Sequence, residues 1–111
     1  MEIQLSTREV QGRSVVEVTG EVDVYTAPSL DEELSRLIEE GRVNLVVDLS
    51  KVEFLDSTGL GVLVKALKRT REHGGSLAVV ATADRITKVF RITGLDAVMS
   101  MHASVDDAVA G

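Results

Sequence analysis

The first quarter of the chain alternates apolar and polar residues with the period of a β-strand. Residues 3–10 show this alternation, which is typical of a strand with one buried face. A Gln-Gly dipeptide then signals a turn, and residues 14–19 resume the strand pattern until Gly20, where we expect the strand to end. The chain is therefore predicted to open with a β-hairpin, while residues 21–25 fit either a short third strand or a loop.

Beyond residue 25, apolar residues recur at helical spacing in some segments and form continuous runs in others. Thr26-Ala27-Pro28 predicts a helix start, because proline lacks an N–H that would have no partner in the first turn, and Gly41 predicts its end. Continuous runs of valine and leucine predict strands covered on both faces. The further predicted elements are a strand at 43–49, a helix at 57–73, a strand at 76–81, a helix at 84–93, an edge strand at 97–101 and a last helix capped by Ser104.

This order of elements predicts an α/β fold. Two antiparallel strands come first, and helices and strands alternate after them. That order favours a mixed β-sheet packed against about four helices, with right-handed crossovers between parallel strands. A chain of 111 residues has room for one hydrophobic core, so we expect residues 1–111 to form a single domain.

Composition and charge narrow the possible functions. Twelve basic and eighteen acidic residues give a net charge of −6, which disfavours a nucleic-acid-binding protein. The chain has no cysteine, so disulfides, thiolate nucleophiles and zinc–sulfur sites are excluded. The amino-terminal residues do not resemble a signal peptide, and no apolar run approaches the ~20 residues of a membrane span. We therefore expect a cytoplasmic protein that binds neither nucleic acid nor membrane.

The segment from Phe54 to Gly61 is the most informative part of the chain. It places Asp56-Ser57-Thr58 at a predicted helix start, just beyond the end of a central strand, where functional groups of α/β proteins gather. Helix capping alone would also account for these residue types. Gly59 and Gly61 add weight to a functional site. Each costs a helix roughly 0.5–1 kcal/mol, which indicates a close approach to the backbone.

Apolar residues flank this predicted helix start. Phe54, Leu55 and Leu60 lie beside the serine in sequence, and we expect them to form an apolar ledge for a partner. Further along the same helix, Lys65, Lys68, Arg69 and Arg71 fit either a guide for an acidic partner or, more simply, a solvated face.

No catalytic, metal-binding or cofactor-binding set emerges from the sequence. Asp48 ends an apolar strand, which is the position of the aspartate that accepts a phosphate in receiver domains. The acidic pair and the lysine that accompany such a residue are missing, which favours a turn-forming role. His73 and His102 are too few and too far apart in sequence to indicate a metal site. Leu55 and Val64 replace the glycines of a nucleophile elbow and of a dinucleotide-binding loop. We therefore expect no enzyme activity, no cofactor and no metal.

The segment Phe54-Leu-Asp-Ser-Thr-Gly-Leu-Gly61 resembles the phosphorylation-site motif of the bacterial anti-sigma factor antagonists, a family of STAS-type domains. The resemblance covers the whole chain. Gly20-Glu-Val-Asp23 followed by Thr26-Ala27 is similar to a second signature of the family, and residues 46–49 and 90–95 also match its pattern. The resemblance implies a STAS-like fold.

It also implies regulation by partner switching. In that scheme the unmodified protein binds an anti-sigma factor that is also a serine kinase, and sigma factor is released. Phosphorylation of Ser57 with ATP separates the complex, and a metal-dependent Ser/Thr phosphatase resets it. The partner surface implied by the motifs consists of Asp23, Asp56, Thr58, Gly59, Leu60 and Gly61.

Two alternatives stay open at this point. Asp23 fits either partner engagement or the capping of its own loop. The protein as a whole could instead be a nucleotide- or lipid-sensing STAS scaffold without partner switching.

The position of Ser57 predicts how phosphorylation would act. A phosphate adds about −1.5 to −2 charge, and free N–H groups at a helix start would receive it favourably. We therefore expect phosphorylation to block a surface without rearranging the domain, and to leave stability equal or slightly higher.

Overall fold

The computed structural model describes residues 2–110, which form five strands and four α-helices. The strands are β1 (Ile3–Val10), β2 (Arg13–Val22), β3 (Asn44–Leu55), β4 (Ser76–Val80) and β5 (Ser100–His102). The helices are α1 (Ala27–Glu39), α2 (Ser57–Glu72), α3 (Asp84–Thr93) and α4 (Val105–Ala110). None of the helices in this part of the chain is long and apolar enough to cross a membrane.

The strands form one mixed sheet in the order β1-β2-β3-β4-β5. β1 pairs antiparallel with β2, which confirms the predicted hairpin, and every other neighbouring pair is parallel. Helices α1, α2 and α3 each connect two neighbouring parallel strands. The strands β2 to β5 therefore lie side by side in the sheet in the same order as in the sequence. The predicted α/β class and mixed sheet are confirmed.

The apolar residues form two clusters, one for each face of the sheet. The larger one joins the sheet to α1, α2 and α3 through fully buried side chains such as Leu37, Leu63 and Phe90. The smaller one joins the other face to α4, where Ala108 packs with Val46. Burial of each large apolar side chain contributes about 1.5–3 kcal/mol, so the larger cluster dominates the stability of the fold.

β2 does not end at Gly20 as the sequence predicted. The strand bends there and continues to Val22, with a shift in its pairing to β3 between Gly20 and Glu21. Gly20 has a φ of 108°, and a Cβ at this position would collide with the backbone carbonyl of Glu2. A glycine inside a strand thus marks an irregularity and not an end. Only residues 23–26 remain for the loop before α1.

β3 is also longer than predicted, since residues 50–55 continue the strand. Their polar residues hid this extension, because the outer part of β3 is covered on one side only. Asp48 is consequently not in a turn. It lies buried inside β3, and its carboxylate accepts a hydrogen bond of 3.0 Å from the Ser50 N–H. At the other sheet edge, a 3₁₀ turn takes up residues 95–97, so β5 begins at Ser100 and not at residue 97.

The two glycines near the start of α2 have different surroundings. A Cβ on Gly59 would lie 2.6 Å from both Val22 Cγ1 and Leu55 Cδ1, which are atoms of the protein's own core. A Cβ on Gly61 would meet nothing within 4 Å. The close approach that was predicted at both glycines is therefore made at Gly59 by the protein's own core side chains. The fold gives no reason for the glycine at position 61.

This contrast predicts opposite effects of one substitution in one helix. Gly59→Ala should destabilise the protein by about 1–2 kcal/mol, because overpacking against the stiff, buried Val22 outweighs the gain in helix propensity. Gly61→Ala should stabilise it by about 0.5–1 kcal/mol through helix propensity alone. Urea unfolding of both variants measures the difference, and a stabilising Gly59→Ala would contradict the packing described here.

Candidate functional site

The candidate site lies where the carboxyl ends of β2 and β3 meet the first turn of α2. Val22 and Leu55 are paired at the ends of the two parallel strands. The Asp56 N–H donates a hydrogen bond of 3.1 Å to the Val22 carbonyl, which ties the start of α2 to β2. The loop of residues 23–26 and the helix start are thereby held side by side.

Asp56 caps α2 with its carboxylate. Its Oδ1 accepts hydrogen bonds from the N–H groups of Thr58 at 2.9 Å and Gly59 at 3.1 Å, while its backbone carbonyl accepts from the Leu60 N–H at 3.1 Å. The two bonds to the carboxylate satisfy N–H groups that a helix start otherwise leaves without partners, and the bond from Leu60 is the first of the helix itself. The capping role weighed from the sequence is therefore present at Asp56.

Ser57 is the first residue of α2, and it is exposed together with Thr58. Within residues 2–110 we find no hydrogen bond to the Ser57 hydroxyl. Thr58 lies about 100° further around the helix, so the two hydroxyl side chains leave the helix in different directions. The arrangement presents Ser57 to solvent on a helix end that is anchored on both sides.

Most of the N–H groups that were expected to receive a phosphate already have acceptors. The Thr58, Gly59 and Leu60 N–H groups already have acceptors, and two of them are held by the Asp56 carboxylate. A phosphate on Ser57 would add negative charge next to that carboxylate. This weakens the reason for expecting a more stable phosphorylated form, while the expectation that the fold stays in place is unaffected.

Three members of the predicted partner surface are buried, and two of them lie in the first turn of α2. Gly59 packs against Val22 and Leu55, and Leu60 is only 6% exposed. Both residues therefore offer little surface to another molecule and support the helix from the core, and their contact with a partner stays a prediction. Gly61 is exposed one turn after Ser57, on the same side of the helix.

Asp23 is likewise turned toward its own loop. Its Oδ1 accepts from the Tyr25 N–H at 2.9 Å and from the Thr26 N–H at 3.0 Å, with the Thr26 hydroxyl at 3.2 Å. Its own N–H donates to Thr26 Oγ1 at 2.9 Å. Of the two interpretations of Asp23, loop capping agrees with this geometry, and direct contact with a partner does not, because the residue is 6% exposed.

The hydrogen bonds also decide the charge state of Asp23. Burial would raise the pKa of the carboxyl, but the bonds from the Thr26 N–H, the Tyr25 N–H and the Thr26 hydroxyl outweigh it. Together they hold the pKa of Asp23 below its usual value of 3.8. The loop is therefore organised around a carboxylate.

The sequence misplaced the apolar surface at the site. Leu55 is 5% exposed and Leu60 is buried as well, so of the predicted ledge only Phe54 reaches the surface. The capped loop instead exposes Tyr25 at 86% and Val24 at 58%. The sequence did contain a signal for this surface. Val24 and Tyr25 are adjacent in a short loop between Asp23 and Thr26, and such a loop has no other residues to bury them.

The basic residues of α2 have mostly internal partners. Lys65 pairs with Asp31 at 3.1 Å, Arg69 donates to Ser35 Oγ at 3.0 Å, and Arg71 donates to the Val98 carbonyl at 3.0 Å. They join α2 to its neighbours, which agrees with the simpler of the two interpretations. Arg85 of α3 donates to the Glu53 carbonyl at 2.9 Å and so flanks the candidate site.

Comparison with known proteins places this arrangement in a family. The model of the STAS domain matches residues 4–108. The chain belongs to the STAS family. An anti-sigma-B factor antagonist of Bacillus subtilis (strain 168) is 37% identical over 109 residues, covering 98% of this chain and 99% of that protein.

Solved structures agree with this assignment. The crystal structure of an anti-sigma factor antagonist from Mycobacterium paratuberculosis superposes with a TM-score of 0.91 at 34% identity, covering 98% of this chain and 92% of that one. The structure of the Bacillus cell fate determinant SpoIIAA in its phosphorylated form has a TM-score of 0.74 at 21% identity and covers 98% of this chain and 97% of that one. At that identity it shows the shared STAS fold alone.

The part of this STAS domain that the structure describes offers no metal site. No group of three or more histidine, aspartate or glutamate side chains in residues 2–110 is arranged to hold a metal ion. A groove of about 660 Å³ lies between β1 and α1, and carboxylates from Asp31 to Glu39 line much of it. Arg36 also lines the groove but is paired with Glu33 and Glu40, so the lining is acidic overall and disfavours the phosphates of a nucleotide.

The Asp23 carboxylate predicts a pH dependence of the stability of this domain. Its pKa is lower in the folded protein than in the unfolded chain. It therefore stabilises the fold above pH ~3.8, and this contribution is lost as the pH falls through the lowered pKa. Wild type should exceed Asp23→Asn in unfolding free energy at neutral pH, and the difference should shrink as the pH falls from neutral through the lowered pKa of Asp23.

Urea titrations of both proteins across this pH range measure the difference directly. The comparison cancels the titration of the other carboxylates, which both proteins share. A difference that keeps its neutral-pH value in acid would show that the charge of Asp23 contributes nothing to the fold.

Proposed function

We propose that this protein is an anti-sigma factor antagonist that is switched by phosphorylation of Ser57. With Ser57 unmodified it binds an anti-sigma factor that is also a serine kinase, and a sigma factor is set free. The kinase transfers the γ-phosphoryl group of ATP to Ser57 Oγ, the hydroxyl proton leaves, and ADP and the modified protein are released. A Ser/Thr phosphatase hydrolyses the phosphate ester and restores the binding form.

One observation carries this proposal. Ser57 is exposed at the first position of a helix whose start is tied to β2, in a chain 37% identical to an anti-sigma-B factor antagonist. The exposed side chains of Val24, Tyr25 and Phe54 come from the two segments next to it. Exposed apolar side chains on segments that adjoin an exposed hydroxyl are suited to bind a protein, and a phosphate on that hydroxyl would then meet the partner surface.

The residues of the site divide into two groups in this proposal. Ser57, Thr58 and Gly61 are exposed and meet the partner, together with the exposed side chains of Val24, Tyr25 and Phe54. Asp56 and Asp23 hold the helix start and the loop in shape, and Gly59 and Leu60 support the helix from the core. Loss of either group weakens binding, but only loss of the second also lowers stability.

In this scheme the protein is the substrate of a kinase and not an enzyme. It uses no cofactor, contacts neither nucleic acid nor membrane, and acts in the cytoplasm. The acidic lining of the groove beside α1 favours this function over a nucleotide-sensing scaffold, because carboxylates oppose the binding of phosphates.

Variants of Ser57 test the proposal. Ser57→Ala should bind the kinase and resist switching by ATP. Ser57→Asp should weaken binding, up to the order of 10²–10³ in affinity for full phosphorylation. Glu72→Ala at the far end of α2 is the control and should bind and switch like wild type. Incubation with candidate anti-sigma factors and ATP, followed by mass spectrometry, locates the phosphate, and a phosphate on Thr58 with Ser57 unmodified would refute the assignment.

Gly61 provides a second test. Its glycine costs helix stability without an internal reason, so we expect the partner backbone to approach it closely. Gly61→Ala should raise the stability of the free protein and yet weaken partner binding several-fold, whereas Glu72→Ala at the far end of α2 should leave affinity unchanged. Calorimetric titration measures both affinities. Unchanged binding of Gly61→Ala would remove position 61 from the proposed interface.

A further inference from the structure

The Asp56 carboxylate occupies the place that a phosphate on Ser57 would otherwise take. In a helix start without a charged cap, the free N–H groups and the helix dipole would draw a phosphate inward. Here Asp56 Oδ1 holds the N–H groups of Thr58 and Gly59 at 2.9 and 3.1 Å. The next N–H, that of Leu60, is bonded to the Asp56 carbonyl.

The backbone on both sides of the Asp56 cap is fixed in place. The Asp56 N–H is bonded to the Val22 carbonyl, which fixes the backbone of the capping residue to β2. Gly59 cannot shift toward the sheet, because Val22 and Leu55 already lie against it. The first turn of α2 therefore cannot open to admit a second acceptor without disturbing the core.

Two negative groups on neighbouring residues repel each other. A phosphate on Ser57 carries up to two negative charges, and it finds the N–H groups of Thr58 and Gly59 occupied by a carboxylate. Its lowest-energy position is away from the helix axis, toward solvent. That direction is the space a partner fills when it covers Ser57.

We propose that Asp56 is a positioning residue that keeps phosphoserine 57 pointing outward, so that the modification acts on the partner and not on the helix. This inference rests on the proposed function of Ser57 and adds how the site is regulated. Without the carboxylate, the phosphate would turn inward, cap the helix itself and leave much of the partner surface clear.

A phosphorus NMR titration tests the local part without any partner. Phosphoserine encoded at position 57 is compared in wild type, Asp56→Ala and Asp56→Asn. We expect the second pKa of the phosphate to be higher in wild type than in Asp56→Ala by about 0.5–1 unit, because the neighbouring carboxylate opposes the second charge. Asp23, Glu53 and Arg85, the other charged groups around the helix start, are the same in all three proteins, so the difference reports on position 56.

Asp56→Asn keeps a capping oxygen and guards against a variant that fails to fold. It should lower the phosphate pKa less than Asp56→Ala does, since the N–H groups stay partly occupied. In Asp56→Ala the amide protons of Thr58 and Gly59 should move downfield on phosphorylation, as they gain a phosphate acceptor. Equal phosphate pKa values in wild type and both variants would overturn the proposal.

Binding tests the second part. The ratio of affinities of the unmodified and phosphorylated forms for the kinase is measured for wild type and Asp56→Ala. We expect the ratio to fall about tenfold in Asp56→Ala, and an unchanged ratio would overturn the proposal even if the pKa moves. If unmodified wild type binds no anti-sigma factor, the proposed function fails instead, and the phosphorus titration still decides how Asp56 places the phosphate.

Discussion

The hydrogen bond between the Asp56 N–H and the Val22 carbonyl is the contact on which the candidate site depends. The bond lies where the parallel strands β2 and β3 end side by side, and it fixes the residue that precedes α2 to the end of β2. The Asp56 carboxylate then closes the first turn of the helix, and Gly59 lets that turn rest directly on Val22 and Leu55. Three constraints of different kinds thus converge on one turn, which leaves Ser57 exposed on a rigid element.

This arrangement explains how a small modification can act without a conformational change. Core side chains of α2 such as Leu63 are fully buried, and moving the helix would expose them at about 1.5–3 kcal/mol each. A charge at the helix start interacts with the dipole by only about 0.3–1 kcal/mol at an exposed site. Because the packing is stronger, phosphorylation is expected to change the surface around Ser57 and not the fold.

The features that could be predicted from the sequence were those set by periodicity and by motif. The hairpin, the order of elements and the start of α2 at Ser57 follow from apolar spacing and capping residues that sit next to each other in the chain. Ser57 itself was assigned because its motif resembles that of a known family.

The features that escaped prediction depend on residues distant in sequence. Gly20 looked like a strand end because the reason for a glycine there is distant in sequence: a side chain at position 20 would collide with the carbonyl of Glu2. Gly59 looked like Gly61 because Val22, which packs against Gly59 alone, lies far from both in the sequence. Asp23 and Leu60 were assigned to a partner surface because burial cannot be read from a motif.

The most direct test of this account compares backbone amide chemical shifts of the protein with and without phosphate on Ser57. The account predicts shift changes confined to the first turn of α2 and to the adjoining ends of β2 and β3, with the loop of residues 23–26. Large changes spread across the sheet and α1 would contradict it, because they would show that the modification rearranges the domain whose rigidity the proposed switch requires.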